Sequence, residues 1–128
     1  ASFVSLVLLF LVVLAQTFRT GAITFHRIQG AVAAYVLLGV TWAVAYLLVE
    51  LRHPGAFSGP VRVDDGARGF LYFSFVTLLT IGFGDVTPAA PIARAVVLAE
   101  GLFGGVFTTV VMASLVAGYL RHRERESI

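Results

Sequence analysis

An all-α membrane protein is the fold class this sequence predicts, and three observations predict it. The chain of 128 residues is 59% hydrophobic and 12% charged, with a mean hydropathy of +0.94, whereas a soluble domain carries about 25% charged residues. Three apolar runs, Ser2–Phe18, Gly30–Leu51 and Ile92–Leu120, each approach or exceed the roughly 20 residues that cross a bilayer. Between the second and third lies a shorter apolar run, Gly69–Leu79, followed at once by the polar, glycine-bearing stretch "TIGFGD", Thr80–Asp85.

The first run is barely long enough to span. A secretory signal peptide carries its basic region ahead of the apolar core; here Arg19 and Arg27 follow it, so residues 1–18 are read as a genuine N-terminal span and 19–29 as a linker. The second run, residues 30–51, is a full span. Orientation follows from arginine placement in short loops. Arg19 and Arg27 lie between the first two spans, and Arg121, Arg123 and Arg125 close the chain. Both clusters fall on the cytoplasmic side if the N-terminus is external, which leaves the loop 52–68 outside, with Arg52, Arg62 and Arg68 balanced by Asp64 and Asp65. Localisation is then a cell membrane, with the lipid bilayer as the solvent of most of the surface.

The run at residues 69–79 is too short to cross and reads as a re-entrant helix. Irregular backbone at membrane depth is tolerated where protein buries it or where it lines a watery cavity, and Thr80–Asp85 sits at that depth. For successive carbonyls to point the same way, alternate residues must take φ of opposite sign. Positive φ costs glycine little and other residues considerably more; Gly82 and Gly84 meet that demand while Ile81 and Phe83 turn their side chains away. One chain then supplies one rail of oxygens, finished by the Thr80 hydroxyl. Four chains around an axis make rings of neutral, hard oxygen ligands able to replace the hydration shell of an alkali cation. The C-terminal end of the short helix adds a partial negative charge that favours a cation.

The stretch T-I-G-F-G-D, after a re-entrant helix and before a span, resembles the selectivity filter of tetrameric potassium channels. The resemblance covers about Gly30 to Leu120 and implies an outer helix (30–51), an extracellular loop (52–68), a pore helix (69–79), the filter (80–85) and an inner helix (92–120), with a short cytoplasmic tail at 121–128 and the first span as an addition. It implies a homotetramer that conducts K+, with ion-binding oxygens on Thr80, Ile81, Gly82, Phe83 and Gly84. Asp85 then sits at the outer mouth, and Tyr72 and Phe73 match an aromatic pair that braces the filter from behind, with Tyr72 positioned to donate a hydrogen bond to Asp85. Gly104 falls where an inner-helix hinge glycine is common. Three positions depart from the pattern: Phe83 replaces the commoner tyrosine, Leu79 stands where a second threonine precedes the filter, and Val76 stands where some members place a carboxylate. With Thr77 these form the support behind the filter, and the changes imply fewer hydrogen bonds there.

Other positions keep two readings open. Gly101-x-x-x-Gly105 is a helix-packing pattern, so Gly104 and its neighbours serve close packing or bending. Glu100 lies in mid-span, where an ionisable residue is costly and commonly functional; it senses protons, or it holds the pore helix by a hydrogen bond while itself protonated. Thr108, Met112 and Val116 recur at helical spacing and line the cavity, or pack on the outer helix. Trp42 and Tyr46 face lipid or a neighbour. His26, His53 and His122 have no ligand spacing and belong at the surface. The small net charge of +2 does not point to nucleic acid, and the lack of cysteine excludes disulfides and thiolate metal sites. No paired nucleophile and base and no phosphate-binding Gly-x-x-x-x-Gly-Lys occurs, so an enzyme and an organic cofactor are not expected. A weakly selective cation channel and a non-conducting helix-packing protein are the competing functions.

Overall fold

A computed structural model describes residues 25–128 and, before them, residues 4, 5, 7, 8, 11, 12 and 15, which are helical. The expected first span as a unit, and the linker up to residue 24, lie outside the described residues. Three helices carry the rest: α1 (Phe25–Arg52), α2 (Ala67–Leu78) and α3 (Pro91–Glu126). A short 3₁₀ turn, Val63–Asp65, precedes α2. Two-residue strands β1 (Phe57–Ser58) and β2 (Thr87–Pro88) pair antiparallel, Phe57 opposite Pro88 and Ser58 opposite Thr87. That pairing, absent from the sequence reading, joins the loop after α1 to the segment after Thr80–Asp85.

At 1.5 Å per residue, α1 and α3 are about 42 and 54 Å long and α2 about 18 Å. The first two exceed the roughly 30 Å hydrocarbon core and the third falls short. Length and hydropathy mark His26–Arg52 and Pro91–Glu126 as candidate membrane spans among the described residues.

Helix α1 begins at Phe25, five residues before the expected Gly30, because Phe25–Gln29 holds no proline or glycine to stop it. It ends at Arg52, since the residue before Pro54 is biased away from helical backbone. Helix α3 starts with Pro91, whose missing N–H costs nothing in the first turn. It runs on through Arg123 and Arg125, which suit the negative end of the helix dipole.

The core cluster lies between the C-terminal half of α1 and α2. Ala31, Ala34, Leu38, Thr41 and Tyr46 recur at helical spacing on the buried face of α1. The aromatic rings of Tyr46, Phe57, Phe70 and Phe73 close around one another at centroid distances of 5.1 to 6.4 Å, in the tilted and edge-to-face arrangements that aromatic quadrupoles favour. Gly39 is part of this fit: a Cβ there would lie 2.7 Å from Cζ of Phe75, so its absence lets the ring rest on the α1 backbone. Helix α3 joins through a narrow seam, with Ala93, Glu100 and Gly104 as its buried positions. Its remaining apolar faces, including Leu98, Leu102, Phe103 and Val106, are exposed in the single chain.

Candidate functional site: the loop at the end of the short helix

The last four carbonyls of a helix have no partner inside it; in α2 each is satisfied. The Leu79 N–H donates to Phe75 O at 2.9 Å, Ile81 N–H to Val76 O at 2.9 Å and Thr80 N–H to Thr77 O at 3.0 Å. The Tyr35 hydroxyl of α1 donates to Leu78 O at 2.8 Å. The bonds from residues 80 and 81 form a Schellman motif, which turns the chain sharply off a helix end through one residue in the left-handed region. That residue is usually glycine. Here it is Thr80, at φ +57° and the one non-glycine residue with positive φ among those described.

From Thr80 the sign of φ alternates. Gly82 has φ +62° and Gly84 φ +77°, while Ile81 and Phe83 stay negative. A Cβ on Gly82 or Gly84 would meet nothing within 4 Å, so these glycines answer a conformational demand rather than a shortage of space. A left-handed conformation at a side-chain residue costs roughly 1–2 kcal/mol, and such strain persists where surrounding structure enforces it. Residues 79 to 85 are all exposed in the single chain, Phe83 at 67%.

The far end of the loop is held by contacts the sequence did not disclose. The Ala89 and Ala90 N–H groups donate to Ala56 O at 2.8 and 3.1 Å. The Glu50 carboxylate at the end of α1 accepts from the Gly55 N–H at 2.7 Å and the Phe57 N–H at 3.0 Å. At Gly59 a Cβ would stand 2.2 Å from the Asp85 carbonyl oxygen, so the loop after α1 lies directly on the Asp85 backbone. Asp85 accepts from the Val86 N–H at 3.1 Å through Oδ1, and the Tyr72 phenol of α2 lies toward the same carboxylate.

The other expected site residues separate into groups. Tyr72 faces Asp85, whereas Phe73 is buried on a different face of α2, against Tyr46 and Phe57, because neighbouring residues on a helix point about 100° apart. Val76 is buried and supports the loop through its carbonyl, which also receives the Gly82 N–H at 3.4 Å. The Thr77 hydroxyl is spent on Phe73 O at 2.9 Å, and Leu79 is the exposed C-cap. Gly104 packs against α2: a Cβ there would approach Cδ2 of Leu78 to 2.7 Å. Thr108, Met112 and Val116 are exposed in the single chain, with the Thr108 hydroxyl bonded to Gly104 O at 2.9 Å. Glu100 and Tyr46 are fully buried, so Tyr46 faces neither lipid nor a neighbour. Trp42 lies tilted against Tyr46 and Phe103. His26, His53 and His122 are exposed.

Tyr35, Glu50 and Gly59 were missed by sequence reasoning. A tyrosine inside a span and a carboxylate at its end are weak signals. Their partners, Leu78 O and the N–H groups of Gly55 and Phe57, are backbone atoms whose positions exist once the chain has folded.

Two spanning helices enclosing a short helix that ends on a glycine-built loop define the pore module of a channel. The family described as "Ion channel" matches residues 62–120, which takes in α2, the loop and α3 as far as Leu120. The chain is 34% identical over 91 residues to the two pore potassium channel c of Oryza sativa subsp. japonica, covering 71% of this chain and 18% of that one. It is 34% identical over 82 residues to a voltage-gated potassium channel of Aeropyrum pernix, covering 64% and 25%. Over 86 residues it is 44% identical to protein LctB of Geobacillus stearothermophilus, covering 63% and 62%. The chain spans less than two thirds of the length of each of these relatives. By these matches the chain is similar to ion channels, potassium channels among them.

Proposed function

We propose that this chain is a subunit of a passive, potassium-selective channel in which four copies surround one axis. The observation that carries the reading is the alternation of φ from Thr80 to Gly84, at the end of a helix too short to cross the membrane. Alternating right- and left-handed residues turn successive carbonyls to one side, so each chain contributes a rail of oxygens from Thr80, Ile81, Gly82, Phe83 and Gly84. Around a fourfold axis these rails form rings that take the place of water about a bare K+. Ions then move downhill from ring to ring, with no bond made or broken in the protein.

Thr80 supports this reading separately. Glycine is the favoured residue at the left-handed position of a Schellman motif, and threonine there carries strain. Its hydroxyl repays that strain if it faces the axis as the innermost oxygen ring. The exposed faces of α3 and of the loop are the surfaces that three further copies would cover. We place the loop between α1 and α2 outside and the arginine-rich end of α3 in the cytoplasm.

The test is reconstitution in liposomes with opposed potassium and sodium gradients, reading flux and reversal potential for the wild type and Gly82→Ala. A reversal potential at the potassium value, lost in the variant, is the expected result. Equal passage of both ions would instead assign a weakly selective pore, in keeping with the altered support at Val76 and Leu79. No flux, together with no tetramer in detergent, would overturn the channel reading.

A further inference from the structure

Glu100 lies at the junction of all three helices and is 0% exposed, as are Tyr46 and Ser74. One carboxyl oxygen, Oε2, bonds the Tyr46 hydroxyl of α1, and the other, Oε1, bonds Ser74 Oγ of α2. Ser74 Oγ also bonds the Gly39 carbonyl oxygen of α1 at 2.9 Å. Three hydrogen bonds therefore need three protons. A tyrosine and a serine hydroxyl supply one each, and a backbone carbonyl supplies none. Tyr46 gives its proton to Glu100 and Ser74 gives its proton to Gly39 O. The bond between Ser74 Oγ and Glu100 Oε1 is then complete when Glu100 itself is the donor.

We infer that Glu100 is a positioning residue that works as a neutral carboxylic acid, donating to Ser74 and so pinning the inner helix to the pore helix behind the filter. The groups packed around it agree. Tyr46 from α1 is its titratable partner, Ser74 faces it from α2, and Glu50, at the end of α1, is turned to the Gly55 and Phe57 N–H groups. Among the described residues neither salt bridge involves Glu100, and an unpaired carboxylate away from water is far more costly than its acid form.

The spacing gives the contact a consequence. Glu100 holds Ser74, and Gly104, four residues on, touches Leu78, four residues after Ser74. The two helices thus meet at successive turns, the second at the residue whose carbonyl Tyr35 caps and which precedes Leu79 and Thr80. Movement of the upper inner helix is carried to the start of the filter, and bending of α3 is confined to the part beyond Gly104. This role rests on the channel reading for its functional meaning, but the proton on Glu100 does not.

Infrared spectroscopy of the purified protein at neutral pH tests the proton directly. The chain has seven Asp and Glu residues, and the other six lie in loops, at helix ends or in the tail, away from the buried junction. A single carbonyl band of a protonated carboxylic acid is expected, lost in Glu100→Gln and shifted in Ser74→Ala, which removes its acceptor. Absence of the band, or a band indifferent to either change, overturns the inference. In liposomes, Glu100→Gln keeps a neutral donor and acceptor at the same length and retains selective flux. Glu100→Asp, one methylene short, and Glu100→Ala lose it. Equal loss in Glu100→Gln and Glu100→Ala would overturn the positioning role even if the band were present. The infrared arm is read without conduction, so it stands or falls separately from the channel reading.

Discussion

The loop Thr80–Asp85 at the end of α2 and the buried knot around Glu100, which meets α2 at Ser74, are held by opposite means. The loop is exposed, its glycines have open space around them and Thr80 sits in a strained backbone conformation. The knot is fully buried, its hydroxyls and carboxyl find partners, and small residues on α1 let the helices approach. One chain completes the knot, whereas on the proposed reading the loop is one rail that further copies would complete. A buried, self-sufficient back wall is what allows a strained, exposed front to keep its shape.

The largest effect expected from breaking this contrast is at Gly82. Alanine there meets no neighbour in the single chain, yet at φ +62° it carries roughly 1–2 kcal/mol of backbone strain in each copy. Potassium flux in liposomes should be abolished while the thermal midpoint of the detergent-solubilised protein falls only modestly. Retained selective flux would mean that the alternating backbone is not the conducting element.

Tyr46→Phe removes one bond from the knot and leaves a carboxyl oxygen of Glu100 unpaired in the core. A destabilisation of about 1–3 kcal/mol is expected, read as a lower midpoint in thermal unfolding. The knot would lose its claim as the back wall if that midpoint did not move.

The glycines of α3 sharpen the comparison further. Gly104→Ala forces a Cβ to within 2.7 Å of the Leu78 side chain, and overpacking of this kind costs typically 1–3 kcal/mol, here at the lower end because Leu78 Cδ2 can swing. Gly101→Ala meets nothing within 4 Å in the single chain and, on helix propensity alone, gains about 1 kcal/mol. A loss of tetramer in size-exclusion chromatography for Gly101→Ala alone would therefore place Gly101 against a neighbouring copy.

Tyr72→Phe should have the smallest effect. The phenol is at the surface of the single chain and lies toward the Asp85 carboxylate. Tetramer stability should be unchanged, while conduction in single-channel recordings should decay faster if the Tyr72 phenol helps to hold the Asp85 end of the loop. Unchanged open times would assign the anchoring of Asp85 to the Gly59 contact instead.

Composition and run lengths alone determined an all-helical membrane protein, with three apolar runs read as spans and, between the last two, a helix too short to cross. That follows because bilayer thickness and helix rise convert residue counts into lengths. Gly82 and Gly84 likewise announced alternating φ, since glycine is the residue for which that conformation is cheap. Tertiary structure alone decided what each polar side chain does inside. The sequence could not separate Tyr72 from Phe73, adjacent on one helix, yet one meets Asp85 and the other enters the aromatic core. Nor could it show that Tyr35 caps Leu78, that Gly59 lies on Asp85, or that Gly104 is a point of close approach to Leu78. Those roles depend on backbone atoms brought together across 26 to 43 positions of chain. Local pattern encodes length and backbone freedom; distant partners exist only once packing has fixed where the helices meet.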